Sequence, residues 1–222
     1  MLDTLSDALP LAIAIAVSPL AIASVVLMLL SSNARAATVG FLVGFAGGIA
    51  VVASAAYAIA LLLPHDGDDR SLSAPFLLIG LGVIAVILAG RQWRSRPTEG
   101  DERDVPGWIR KVDGMTTGKA LVLGLIFGGL KPKNLLLSAA LGVTLEATDA
   151  AVGEAAVVLA IVALLGSLPI IVPVVIAFVG GEGTRARLDA LRSWMVANNS
   201  GVVGTVLVLI GAVLVAKGLS GL

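Results

Sequence analysis

Two lysines, a proline and an asparagine interrupt an apolar run in "FGGLKPKNLLLSAA", Phe127 to Ala140. Apolar sequence flanks Lys131 and Lys133 on both sides, over 121–130 and 135–143. A lysine at the centre of a membrane helix costs about 2.5–3.5 kcal/mol on insertion scales. Both positions lie ~10 residues from either end of the run, too deep for easy snorkelling. On an intact helix, residues two apart point to nearly opposite sides. Around an unwound Pro132, the two ammonium groups can converge on one cavity, where Asn134 adds an amide that donates and accepts.

No Asp or Glu falls in the core of any apolar run: Glu146, Asp149 and Glu154 sit at one edge and Asp113 at the other. The lysines therefore either await an anionic group, such as a carboxylate, sulfate or phosphate, or are structural or proton-carrying. The lack of central carboxylates also argues against a divalent cation as cargo, because such ions need hard oxygen ligands. The runs offer Ser18, Ser24, Thr38, Ser54, Tyr57, Asn134, Ser138 and Ser167 instead. With no cysteine, and one histidine, His65, in a polar connection, disulfides, thiol relays and Cys/His metal sites are excluded. There is no phosphate-cradling Walker loop and no nucleophile–base constellation. The expectation is a non-enzyme with no cofactor and no metal.

The surrounding elements must be membrane helices. The 222 residues are 58% hydrophobic and 14% charged, against about 25% charged in soluble domains, and mean hydropathy is +1.02. Apolar runs predict six spans near 6–30, 34–63, 72–91, 116–145, 150–179 and 198–219, each with the ~20 residues needed to cross. The first run is not a signal peptide: it opens with Asp3 and Asp7 and no basic residue, and it is long enough to span. All-α membrane architecture follows.

Basic residues set the orientation. Connection 91–119 holds Arg91, Arg94, Arg96, Arg103, Arg110, Lys111 and Lys119, and 180–197 holds Arg185, Arg187 and Arg192. Both are expected in the cytoplasm. Connection 64–71 has three aspartates and one arginine, and 146–154 has Glu146, Asp149 and Glu154 without a positive charge. Six spans with both termini outside satisfy this distribution; at "SSNAR", Arg35 alone marks the inside. "TRARLDALRSWMVANN" reads as an interfacial helix anchored by Trp194, and "GWIRK" as a membrane-touching end of a solvated linker.

Setting Ser18-Pro19 on Lys131-Pro132 reveals a weak repeat at an offset of 113 residues. It pairs "SPLAIASVVLMLLSS" with "KPKNLLLSAALGVTL". Three spans per half is an odd number, so the second half starts on the opposite face. Inverted repeats of this kind place substrate at mid-membrane between broken helices. The expected organisation is an N-terminal three-helix repeat (1–91), a cytoplasmic polar linker (92–115) and a C-terminal three-helix repeat (116–222), the first and fourth helices being broken near Pro19 and Pro132. Gly128-Gly129 lowers the cost of unwinding, and Pro169 and Pro173 predict a break in the fifth span. Gly40, Gly44 and Gly48 form a small-residue series suited to close helix packing.

The proline-containing first span and the "KPKN" of the fourth, with a later "RSWMVANN", resemble the LysE superfamily of exporters. Pro132-Lys133 is similar to the Asn-Pro-Lys type motif of its amino-acid-exporting branch. The fuller pattern more closely resembles the GAP branch, which includes sulfolipid- and peptidoglycolipid-addressing proteins. The Pro-Gly-Pro of amino-acid exporters is missing from the first span, and the cysteine-pair branch is excluded. The resemblance implies a multi-pass protein of the cytoplasmic (inner) membrane that exports an envelope glycolipid or peptidoglycolipid. Lys131, Pro132, Lys133 and Asn134 would form its substrate site, with Ser18 and Pro19 as their partner break. The ligand would be an anionic lipid or small anionic solute, not nucleic acid, and a homodimer or partner export proteins are compatible with this. The rival readings are an exporter of a small amino acid or related metabolite, and an accessory scaffold of a lipid-export machine.

Overall fold

The computed structural model describes residues 1–31, 34–62, 70–95, 115–180 and 183–221. The acidic stretch at 63–69, most of the linker with "GWIRK", and Ser32-Asn33 lie outside the described residues. Eight α-helices and one π-helical turn account for the described chain, with no strand among these residues. They are α1 (Leu2–Ala16), α2 (Pro19–Leu29), α3 (Ala34–Leu62), α4 (Arg70–Arg94), α5 (Thr117–Leu125), the π turn (Ile126–Leu130), α6 (Pro132–Ala147), α7 (Val152–Val179) and α8 (Thr184–Ser220).

Four of these helices, α3, α4, α7 and α8, are long and apolar enough to cross a membrane. Two further crossings are bent pairs: α1 meets α2 at 54°, and α5 with the π turn meets α6 at 63°. Counting each pair once brings the total to six, with the breaks beside Pro19 and Pro132 as expected. Each proline becomes the first residue of the following helix, the position where its missing N–H costs nothing.

Two expectations need correction. The segment 184–199 is not a separate interfacial helix but the first part of α8, which runs unbroken for 37 residues. At 1.5 Å per residue such a helix is about 55 Å long, so it extends well beyond the hydrocarbon. No proline occurs between Thr184 and Ser220, and the asparagine cluster stays inside the ladder, Asn198 Nδ2 donating to the Trp194 carbonyl at 2.9 Å. Likewise, α7 continues through Pro169 and Pro173. Around them stand Ile170, Ile171, Val172 and Val174, and the hydroxyl close by, Ser167, already donates to the Ala163 carbonyl at 2.7 Å, so unwinding would leave further backbone unpaired in lipid.

Packing is reciprocal: α3 lies along α5 and α6, α7 along α1 and α2, and α4 against α8. The seam between α3 and α5 depends on glycine. A Cβ on Gly44 would collide with the Leu121 carbonyl, and Cβ atoms on Gly124 and Gly128 with those of Phe41 and Phe45. The small-residue series of α3 thus faces its counterpart on α5 and the π turn, drawing the backbones together. By contrast, Gly47 has only a side-chain atom of Leu125 nearby, at 3.7 Å. Gly44→Ala is therefore expected to destabilise the fold by about 1–3 kcal/mol through overpacking, whereas Gly47→Ala is neutral. Thermal unfolding of the two variants in detergent compares them directly.

Candidate functional site

Each break frees backbone carbonyls, and particular side chains take them up. In an unbroken helix the Ile15 carbonyl would accept from residue 19, but Pro19 has no N–H. The Ser18 N–H has turned to Ala16 at 2.8 Å, which releases the Ala14 carbonyl as well. Ser18 Oγ donates to the Ile15 carbonyl at 2.8 Å. Lys133 Nζ arrives from the other break and donates to Ala14 at 2.7 Å and to Ile15 at 3.4 Å. A cation at the carbonyl end of α1 also lies at the negative end of its dipole.

At the second break the Lys131 N–H reaches back to Ile126 at 2.9 Å, closing the wide π turn and bypassing Phe127. Asn134 Nδ2 donates to the Phe127 carbonyl at 2.8 Å. That bond fixes the amide so that Oδ1 points elsewhere, and among the described residues Oδ1 has no partner. Lys133 and Asn134 are 8% and 2% exposed, and such depth requires these bonds.

Lys131 is placed differently. It is half-buried, its Nζ stands 4.2 Å from the centroid of the Phe127 ring, and among the described residues it has no carboxylate partner. A cation over an aromatic face gains ~0.5–2 kcal/mol, yet its donors stay available.

Ser18, Pro19, Lys131, Pro132, Lys133 and Asn134 all line one cavity of about 470 Å³. The N-termini of α2 and α6 form part of its wall, and each helix start contributes partial positive charge and free N–H groups. Leu88, Val203 and Leu207 give an apolar side; Arg91, Gln92, Ser95 and Asn199 give a polar end beside the last turn of α4. Gln92 Nε2 donates to Ser200 Oγ at 3.3 Å, tying α4 to α8 there. Among the described residues, three cationic side chains and no acid line this space.

Gly128 and Gly129 do not line the cavity; they lie in the π turn against α3. Pro169 and Pro173 are remote from it, inside α7. Sequence reasoning missed Arg91, Gln92, Asn199 and Phe127 as wall residues. Arg91 was legible only as an orientation signal, and Phe127 only as one more apolar residue. At mid-membrane depth, an aromatic four residues before a lysine was a usable cue for ring stacking.

Ser18→Ala removes the main donor to the Ile15 carbonyl and is expected to lower unfolding stability by about 1–3 kcal/mol, the cost of a buried unpaired carbonyl. Denaturation of the purified variant measures this.

The family model for Sap, the sulfolipid-1-addressing protein, matches residues 8–220. No curated protein and no solved structure matches the chain. The match spans both broken helices, every cavity residue and all six crossings. A multi-pass helical membrane protein with a proline-broken first span and "KPKN" in its fourth, this chain belongs to the sulfolipid-1-addressing protein family, within the GAP branch of the LysE superfamily.

Proposed function

We propose that this protein is a secondary transporter that moves an anionic amphiphile, an envelope glycolipid or peptidoglycolipid, outward across the cytoplasmic membrane. The observation that carries the reading is the cavity wall: Lys131, Lys133 and Arg91 with two helix N-termini, and no carboxylate among the described residues. Such a wall attracts a sulfate, phosphate or carboxylate and repels cations. Lys131, with donors to spare, is the primary anion contact. Asn134 Oδ1 accepts from a hydroxyl of the head group, and Leu88, Val203 and Leu207 meet the start of a tail. The family match supports lipid as the cargo class.

Alternating access follows if 1–91 and 116–222 are inverted three-helix halves joined by the linker 92–115. The reciprocal packing of α3 on α5–α6 and α7 on α1–α2 supports that division. In this reading both termini lie outside. In support, Thr4 Oγ1 donates to Glu154 at 2.6 Å and Lys217 pairs with Asp7 at 2.6 Å, which gathers both ends of the chain at the acidic 146–154 connection. The polar end of the cavity, with Arg91, then faces the cytoplasm.

Deleting the gene in its native host is expected to remove an anionic glycolipid from the cell surface, and wild-type protein to restore it. Lys131→Gln, inserted at wild-type level by membrane immunoblot, is expected to cut export at least about tenfold, the value of one hydrogen bond to a charged group. Lys131→Arg retains part of the activity. Unchanged surface lipids together with a soluble amino acid accumulating inside would transfer the assignment to a small-solute exporter.

A further inference from the structure

Lys133 bridges residues 119 positions apart in the chain, from the first turn of α6 to the carbonyl end of α1. Under the proposed division these helices belong to opposite halves, so the bond crosses the junction that must open for cargo to leave. The same side chain lines the cavity. Few other charges face it from the elements packed on α6. From α4 comes Arg91 and from the residue before α6 comes Lys131, both lining the cavity. On α1, Asp7 is engaged with Lys217 of α8. On α3, the Tyr57 hydroxyl donates to the Ala150 carbonyl at 2.6 Å, and Arg35 stacks on Phe178 at 5.5 Å. Among the described residues no carboxylate lines the cavity, so none of them ties the ammonium into an ion pair there. Arginine does not deprotonate in proteins, and the Lys131 ammonium rests on an aromatic face rather than on the junction.

We propose that Lys133 carries the proton that drives transport: as an ammonium it holds the two broken spans together, and as an amine it lets them part. A charge-assisted hydrogen bond is roughly twice as strong as a neutral one, and only the charged form is held by the α1 dipole. The step balances as a proton transfer. With the cavity facing the arginine-rich side, the ammonium gives its proton to a cavity water, leaving an amine and a hydronium ion. Once the junction has opened to the other side, the amine takes a proton from water there and the junction closes. One proton moves inward as one cargo moves outward, with no further reactant. The inference rests on the transporter reading but not on its lipid cargo.

The test needs no cargo. The chain has no cysteine, so Ala12→Cys places a single thiol on α1, at a position only 1% exposed. In sealed vesicles, a membrane-impermeant maleimide is applied from the face opposite Arg91. Labelling rates are divided by those of Leu2→Cys, an exposed position, to remove the pH dependence of the thiol itself. The corrected rate is expected to rise about tenfold as pH is raised through the range in which the ammonium is lost, matching the change from a charged to a neutral hydrogen bond. With Lys133→Arg, which keeps the charge at every pH, it stays low and flat; with Lys133→Met it is high and flat. A flat wild-type profile overturns the assignment, as does a Lys133→Arg profile that still rises. If one variant fails to reach the membrane, the other decides against wild type, since both must abolish the slope. A pH-dependent opening in a protein that moves no lipid would leave Lys133 in this role and overturn the cargo reading alone.

Discussion

A backbone carbonyl that loses its helical partner inside a membrane must find another donor, because lipid supplies none. At the two breaks, beside Pro19 and Pro132, this chain meets that need with side chains from the breaks themselves. Ser18 serves Ile15, Asn134 serves Phe127, and Lys133 crosses over to serve Ala14. The crossing bond matters most. It fixes where the first broken span meets the fourth, and so where the N-termini of α2 and α6 point. The cavity exists because two interrupted helices are held with those ends facing a shared space. Elsewhere tight packing supports this arrangement: the glycine seam draws α5 and the π turn onto α3 so closely that no side chain fits between, leaving the second break little freedom to drift.

The two lysines, two residues apart, are not duplicates. Lys133 is nearly sealed and engaged with carbonyls, while Lys131 is half-exposed over a ring. Both positive charges are tolerated for related reasons. Each finds partial negative charge, one in the end of the α1 dipole and the other in the face of Phe127. Neither partner carries a full negative charge, and among the described residues no carboxylate lines the cavity, so this wall remains electropositive. A buried acid would have stabilised either lysine more strongly and neutralised the site.

Much of this was legible in the chain. Hydropathy located the crossings because a membrane helix needs long apolar sequence, and proline marked candidate breaks because a missing N–H leaves a carbonyl that lipid itself cannot satisfy. The six residues of Ser18-Pro19 and Lys131–Asn134 do meet in one cavity. What escaped depended on partners distant in sequence. Nothing in "KPKN" says that Lys133 engages a carbonyl 119 residues away, because every residue has a carbonyl and only the fold frees a particular one. Gln92 and Asn199 looked like ordinary polar ends of helices until α4 and α8 were laid side by side. Pro169 and Pro173 carried the same local signal as Pro19 but produced no break. The difference lies in the partners: at the breaks Ser18, Lys133 and Asn134 take up the freed carbonyls, whereas in α7 the nearby Ser167 hydroxyl is already engaged with Ala163.

Size and composition together limit how a lipid could use such a site. At about 470 Å³ the cavity is in the ordinary range for a small-molecule pocket, too small for a head group with full acyl chains. An amphiphile would seat its charged head against Lys131 and the start of its tail against Leu88, Val203 and Leu207, leaving the rest of the tail outside. Selection would then act on the head alone, through charge and the Asn134 acceptor, while tail length would be left almost unconstrained. A transporter built this way would move lipids sharing an anionic head and differing in their chains. The cost of transfer would be concentrated in carrying one charge past mid-membrane, the task to which the cavity's unpaired positive potential is matched.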